Sequence, residues 1–245
     1  GLPVVVKSLT EGYDGKAQWR LHSHADVQDF CRNQPTGNWL VEAWVDFRCE
    51  ISFIAARSAS GETVIYPPVE NVHRDGILLT SIAPAPDLPE ALRKQGEHCI
   101  GTLLQSLDYV GVLAMECFVT DHGLLINELA PRVHNSGHWT LRSEATSQFE
   151  NHLRAVTGLR PGSTRITGCD AIINILGEYD RGATLAALTG DASLFDYDKR
   201  FAPGRKVGHI NVSGRCREAV REELGRLHGM LYEAADPAVR GDRRA

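Results

Sequence analysis

The chain has 245 residues, of which 42% are hydrophobic and 23% charged, and this composition is ordinary for a soluble globular protein with a substantial core. The net charge of −5 gives no reason to expect nucleic acid as a partner, and no apolar run approaches the length of a membrane span. Six cysteines without a CxxC pair are typical of a reduced, cytoplasmic protein.

The first part of the chain is predicted to consist mainly of strands. Hydrophobic periodicity predicts strands at 4–7, 18–21, 39–45, 47–57 and 63–66, with one short helix at 25–31. In the longest of these strands apolar and polar residues alternate, which places Glu50 on the polar face. The sequence starts without Met and enters a strand at once, so we expect an N-terminal part of a longer protein to be absent.

The second part of the chain adds helices. Residues 87–90 predict a capping box that opens a long helix. Another helix is predicted at 143–157, with Phe149, Leu153 and Val156 buried. Long antiparallel strands with intervening helices predict an α+β fold.

The pattern changes after Pro161, where we place a domain boundary. Strands are predicted at 169–176 and 206–212, and a last amphipathic helix at 218–232. The predicted domains are 1–160, with a lid part at 1–40 and a catalytic part at 41–160, then a C-terminal subdomain at 161–235 and a polar tail at 236–245.

Two glutamates, Glu116 and Glu128, lie on the predicted arms of one hairpin. A turn centred on His122 sets them opposite each other. Opposed side chains in an antiparallel pair are about 4.5–5.5 Å apart at Cβ, and two carboxylates this close repel unless a cation or a shared proton intervenes. We therefore predict a divalent metal, and oxygen ligands suit Mg²⁺ better than Zn²⁺. The alternative is a register slip that sends one glutamate to solvent.

A lysine and a glycine-containing loop lie near the N-terminus. Lys7 is on a predicted strand, and the loop at 11–18 follows it. An ammonium group and the backbone N–H groups of such a loop can surround phosphates. A plain hairpin with a surface lysine is the alternative.

Polar groups crowd the segment 127–140, which begins at a predicted strand end. Loops this rich in polar groups usually bind a ligand. His134 and His138 have the i, i+4 spacing of zinc ligands on a helix, but Pro131 and Gly137 argue against a helix there and so against zinc.

A further polar loop spans 198–209 and carries five basic or imidazole side chains around a Pro-Gly pair. Such a loop can clamp a phosphate group. A solvated run of charges fits the same pattern equally well.

Together these segments resemble the ATP-grasp family of 5-(carboxyamino)imidazole ribonucleotide synthases of purine biosynthesis. The most specific matches are ENVHRDGIL at 70–78 and NELAPRVHNSGHWT at 127–140. The resemblance covers nearly the whole chain apart from the polar tail. It implies an ATP-grasp fold of antiparallel sheets with flanking helices, followed by a small C-terminal α/β subdomain.

The resemblance also implies roles for individual residues. Arg132 would stabilise the oxygens of carboxyphosphate, and Glu116 and Glu128 would bind Mg²⁺, with Mn²⁺ as an alternative. The residues implied to bind ATP are Lys7, Gly12, Tyr13, Asp14, Gly15, Lys16, Ala17, Gln18, Glu42, Ala43, Trp44, Val45, Glu50, His73, Asn127 and Glu128. The residues implied to bind the ribonucleotide are Tyr13, Asp14, Arg132, His134, Lys199 and Arg205.

The implied reaction is an ATP-dependent carboxylation. ATP would phosphorylate bicarbonate to carboxyphosphate, and the amine of aminoimidazole ribonucleotide would capture the CO₂ released. The expected partners are ATP, bicarbonate and aminoimidazole ribonucleotide, and the resemblance allows a homodimer.

The alternatives are another ATP-grasp carboxylate–amine ligase and a nucleotide-binding fragment without turnover. The fragment is favoured by the absence of the family's N-terminal domain and by Glu11 and Ala17, which stand where the family usually has glycines.

Overall fold

The structure is a computed structural model that describes residues 1–10, 17–34 and 37–233. The predictions for Glu11, Gly12, Tyr13, Asp14, Gly15, Lys16 and the tail at 236–245 lie outside the described residues. By their contacts the described residues form two compact units. One unit comprises Gly1–Phe47 with His73–Ile77, and the other comprises Arg48–Val72 with Leu78–Ala245.

The first unit contains, in its described residues, a three-stranded antiparallel sheet and one helix. These are β1 (Val4–Ser8), β2 (Gln18–Leu21), α1 (His24–Asn33) and β3 (Trp39–Ala43), with β1 in the centre of the sheet. A capping box starts α1, because the Ser23 hydroxyl accepts the Asp26 N–H and the Asp26 carboxylate accepts the Ser23 N–H. The rings of Trp19, Phe30 and Trp39 meet edge to face at 5.1 to 5.3 Å between centroids, and this cluster packs α1 onto the sheet.

A larger antiparallel sheet, nine-stranded in its described residues, organises the second unit. Its strands are β4 (Cys49–Arg57), β5 (Thr63–Ile65), β6 (Val69–Arg74), β7 (Ile77–Ala83), β8 (Gly111–Thr120), β9 (Gly123–Ala130), β10 (Cys169–Leu176), β11 (Ser193–Asp196) and β12 (Lys206–Gly214). The strand order is β11-β12-β10-β7-β6-β4-β8-β9, with β5 paired to β4. The helices are α2 (Glu90–Ser106), α3 (Gln148–Val156), α4 (Arg181–Ala187) and α5 (Arg217–His228), with a 3₁₀ helix at Asn135–Arg142 and a π-helical turn at Gly229–Glu233. This arrangement agrees with the predicted α+β class.

The core of the second unit lies on both faces of its sheet. Strand β4 is central and is buried on both faces over residues 51–56, so its predicted alternation is lost there. On one face Phe53 packs under α2, where an added Cβ on Gly96 would lie only 2.0 Å from the phenyl ring. On the other face Ile54 belongs to a cluster around Trp139, which anchors the 3₁₀ helix to the sheet.

Two predictions about helix starts are wrong. The helix α2 follows Pro89, which makes no side-chain cap hydrogen bond, so the predicted capping box is not formed. The helix α3 begins at Gln148 instead of at 143, because the preceding residues form the 3₁₀ helix and a capping turn in which Ser147 accepts the Glu150 N–H.

The predicted burial in α3 is wrong for Leu153 and Val156, whereas Phe149 is half-buried with its ring near that of His138. Leu153 is 62% and Val156 51% exposed, whereas Gln148, Asn151 and Ala155 are buried. The helix therefore turns a largely polar face inward.

The six cysteines are all described and all are free thiols. Among the described helices, none combines the length and the apolar character that a membrane crossing would require.

Candidate active site

The β8–β9 hairpin sets Glu116 directly opposite Glu128, as predicted. The turn is shorter than predicted, because Thr120 pairs with Gly123. If the pairing that starts with Thr120 and Gly123 continued without interruption, Glu116 would lie opposite Asn127. A bulge beside Glu116 adds one residue to β9 and moves Glu128 into the opposing position.

Glu116 and Glu128 form a cluster with His134, in which one possible ligand atom from each residue lies within 4.8 Å of the others. Nε2 of His134 is 3.4 Å from Oε1 of Glu116, and these two side chains are only 10% and 13% exposed. Glu128 lies at the exposed side of the cluster. Two carboxylates in a partly buried site are unfavourable without a cation, and oxygen donors suit Mg²⁺.

The contacts of His134 favour one tautomer of its ring. Nδ1 lies 2.8 Å from the Ser136 hydroxyl, which can donate or accept, and 3.3 Å from the Ser136 backbone N–H, which can only donate. The neutral ring therefore has its proton on Nε2, the nitrogen that faces Glu116. A protonated Nε2 cannot bind a metal. The residues thus fit a cation held by the two carboxylates, with Nε2 of His134 in contact with the Glu116 carboxylate.

The two polar loops that were predicted separately are connected in the structure. The rings of His138 and His209 are 5.1 Å apart between centroids, and Nδ2 of Asn211 donates to the carbonyl of His138 at 3.0 Å. Nδ1 of His209 is 2.6 Å from the Tyr197 hydroxyl. Nζ of Lys199 lies 4.9 Å from the centroid of the Tyr197 ring. The basic loop is therefore joined to the segment 127–140 through β12.

Both histidines of this connection are neutral at ordinary pH. Burial, reinforced by the charge of Lys206, lowers the pKa of His138 to about 4. Burial, reinforced by the neighbouring His138, lowers the pKa of His209 to about 3. Positive charge near these neutral rings therefore comes from Lys206 and Arg132, and Lys199 and Arg205 are exposed on the adjoining loop.

Asn135 is a residue that the sequence indicated only as a member of its loop. Both polar atoms of its side-chain amide are buried without a hydrogen-bond partner among the described residues. An unsatisfied buried polar atom costs about 1–3 kcal/mol, so a polar ligand at this amide would be stabilised. The lack of a partner for both amide atoms distinguishes Asn135 from the buried asparagines Asn151 and Asn211, each of which has at least one such hydrogen bond.

The predicted nucleotide contacts of the first unit lie on and beside its sheet. Nζ of Lys7 forms an ion pair with Glu42 at 2.6 Å, across β1 and β3. Ala17 has φ +58°, a backbone conformation that favours glycine. Gln18 begins β2, and Ala43 ends β3, so that Trp44 and Val45 follow the strand. His73 is partly exposed near the end of β6, and in the second unit Glu50 is partly exposed on β4.

Comparisons with known proteins find relatives over most of the chain. The family profile described as ATP-grasp domain matches residues 1–149, and the profile of the phosphoribosylaminoimidazole carboxylase C-terminal domain matches residues 171–223. The chain is 44% identical to the N5-carboxyaminoimidazole ribonucleotide synthase of Vibrio vulnificus, in a match that covers 98% of this chain and 64% of that protein. The chain thus spans 64% of the length of the first curated relatives that it matches.

Solved structures show the same similarity. The N5-carboxyaminoimidazole ribonucleotide synthetase of Thermus thermophilus has a TM-score of 0.85 and 42% identity, over 95% of this chain and 62% of that one. The N5-carboxyaminoimidazole synthase of Aspergillus clavatus, in complex with ADP and 5-aminoimidazole ribonucleotide, has a TM-score of 0.85 and 28% identity, over 94% of this chain and 62% of that one.

Proposed function

Since the chain belongs to the N5-carboxyaminoimidazole ribonucleotide synthase family of ATP-grasp ligases, we propose that it catalyses the ATP-dependent carboxylation of 5-aminoimidazole ribonucleotide. Bicarbonate is the carboxyl source, and ADP and phosphate are released. The observation that carries this proposal is the Glu116–Glu128 pair with His134 beside it, because a nucleotide-dependent ligase of this kind needs a metal at its phosphates.

We assign Glu116 and Glu128, together with the neighbouring Asn127, to a Mg²⁺ ion, which Mn²⁺ can replace. The fit rests on the opposed carboxylates and on the tautomer of His134, which leaves oxygen atoms as the available ligands. When bound, the ion neutralises negative charge on the phosphoryl group that is transferred. The Nε2–H of His134 holds the Glu116 carboxylate in place.

We assign the ribonucleotide and the carboxyphosphate to the polar groups of the two connected loops. Arg132 is exposed, and its planar guanidinium can bind two oxygens of a carboxyphosphate at once. The buried amide of Asn135 supplies a donor and an acceptor for a polar substrate. Lys199 and Arg205 supply positive charge for the ribonucleotide phosphate, and His134 contacts the same substrate.

In the first unit we assign Lys7 and Gln18 to nucleotide phosphates and the segment Glu42, Ala43, Trp44 and Val45 to the adenine. The ion pair with Glu42 keeps the Lys7 side chain extended across the sheet. Glu50, His73 and Ala17 are assigned to the nucleotide by the family resemblance.

A reducing compartment such as the cytoplasm suits the six free thiols. The homodimer stays a prediction.

The release of ADP tests this function. It is measured with ATP and Mg²⁺, with and without bicarbonate and with and without 5-aminoimidazole ribonucleotide. We expect ADP release that requires bicarbonate and rises when the ribonucleotide is added. ATP hydrolysis that is indifferent to both compounds would show that the carboxylation is not the activity of this chain.

A further inference from the structure

Gln148, the first residue of α3, connects that helix to the loop that carries His134, and its side chain is fully buried. Oε1 of Gln148 accepts the backbone N–H of His134 at 2.9 Å, and Nε2 donates to the backbone carbonyl of His134 at 2.6 Å. Nε2 is also 3.0 Å from Nδ1 of His138. A single amide therefore uses its acceptor and both of its donors on one loop.

These partners fix the orientation of the amide. A backbone N–H only donates and a carbonyl only accepts, so Oε1 and Nε2 of Gln148 cannot be exchanged. The second N–H of Nε2 is then directed at Nδ1 of His138, 3.0 Å away.

The surroundings leave Gln148 no other position. The backbone N–H of Gln148 donates to Oγ1 of Thr140 at 3.0 Å, and this hydroxyl donates to the carbonyl of Gly137 at 2.7 Å. A Cβ added to Gly137 would lie 2.6 Å from Oε1 of Gln148. Both the backbone and the side chain of Gln148 are thus bonded to the loop and its 3₁₀ helix.

We propose that Gln148 is a positioning residue of the metal site. By holding the N–H and the carbonyl of His134, it sets the imidazole so that Nε2–H meets Glu116, and it thereby fixes the carboxylate that binds the cation. Gln148 acts through His134 and has no direct part in the chemistry. The inference rests on the proposed function, since it concerns the same site.

Asn151, one turn further along α3, provides a matched control. It is as fully buried as Gln148, and its amide pairs in the same two-way manner with the backbone of Gly162. Oδ1 accepts the Gly162 N–H at 2.7 Å, and Nδ2 donates to the Gly162 carbonyl at 3.4 Å and to the Tyr66 hydroxyl at 2.7 Å. Replacing Asn151 by Ala removes equivalent hydrogen bonds that do not involve His134.

The test combines Mn²⁺ binding with the state of the His134 ring. Mn²⁺ binding in the presence of ADP is measured by electron paramagnetic resonance on the whole chain and on the variants Gln148→Ala and Asn151→Ala. We expect Gln148→Ala to weaken Mn²⁺ binding about tenfold, the usual effect of losing a residue that orients a metal site. We expect Asn151→Ala to lower the melting temperature by about as much as Gln148→Ala does and to keep the Mn²⁺ affinity.

The second measurement is the tautomer of His134 in ¹⁵N NMR spectra. His134 should be the Nε2–H tautomer in the parent chain and in Asn151→Ala, and a mixture of tautomers in Gln148→Ala.

Equal loss of Mn²⁺ affinity in the two variants, or an unaltered His134 spectrum in Gln148→Ala, would overturn the inference, because α3 would then act through stability alone. If Gln148→Ala does not fold, Gln148→Glu takes its place, since it keeps the shape of the side chain and removes both donors. A parent chain that binds no Mn²⁺ would refute the metal site of the proposed function, and the His134 spectra would still decide whether Gln148 sets that ring.

Discussion

Glu116 and Glu128 lie close enough that their charges oppose each other unless a cation is bound between them. Glutamine has the shape of glutamate without its charge. We therefore predict that Glu116→Gln and Glu128→Gln each weaken the binding of Mg²⁺·ADP by about tenfold or more and change the binding of ADP without Mg²⁺ little. Isothermal titration calorimetry measures both affinities.

Glu222, an exposed glutamate on α5, provides the control for these substitutions. Glu222→Gln also removes one negative charge, but it should leave both affinities unchanged. If Glu116→Gln and Glu128→Gln bind Mg²⁺·ADP as tightly as the parent chain, the metal assignment is wrong.

The pairing of these glutamates was predictable from the sequence, but its cause was not. A three-residue turn around His122 would give the same pairing as the observed two-residue turn with a bulge at Asn127. No residue type marks that bulge in advance. The tautomer of His134 was equally unpredictable, because it depends on the Ser136 N–H, whose direction only the folded loop defines.

Helix α3 shows why hydrophobic periodicity predicted the wrong buried face. The rule assigns amides to the surface and leucines to the core. In α3 the amides of Gln148 and Asn151 are buried because they hydrogen-bond to backbone groups of the neighbouring segments at His134 and Gly162. Leu153 and Val156 are left exposed as a consequence.

The contact between the 3₁₀ helix and β12 should make the stability of the fold depend on pH. The pKa of His138 is lowered to about 4 and that of His209 to about 3, whereas an unfolded histidine has a pKa of about 6.5. The unfolded chain therefore binds protons first, and stability is full above pH 6.5 and is lost as the pH falls towards 4. We predict that the free energy of unfolding in urea decreases between pH 7 and pH 5, by at most about 1.4 kcal/mol per pH unit for each histidine.

Replacing His209 by Gln should reduce this slope, whatever it does to the stability at pH 7. The carboxylates of Glu62, Glu90 and Glu223 titrate at lower pH, because bonds to arginine keep their pKa values below the ordinary range. Burial raises the pKa values of Glu70 and Asp170, which act in the opposite sense but are present in both chains. Equal slopes in the parent chain and in His209→Gln would therefore contradict the burial of a neutral imidazole at His209.

The order of the motifs along the chain predicted the family and the α+β fold, and both are confirmed. Local patterns sufficed because the specific segments at 70–78 and 127–140 are continuous in sequence. Local patterns did not predict that His73–Ile77 groups by contacts with Gly1–Phe47, since that grouping depends on contacts between distant residues. The domain boundary at Pro161 stays a prediction.

The metal assignment is tested by locating the ion in crystals of the chain grown with ADP and Mn²⁺ in place of Mg²⁺. The anomalous signal of Mn²⁺ identifies the ion without ambiguity. We predict one ion bound by carboxylate oxygens of both Glu116 and Glu128, at a little more than the roughly 2.0–2.1 Å typical of Mg²⁺, with Nε2 of His134 bonded to Glu116 and not to the ion. An ion coordinated by His134 Nε2, or an ion bound elsewhere with the two glutamates empty, would show that the proposed metal site is wrong.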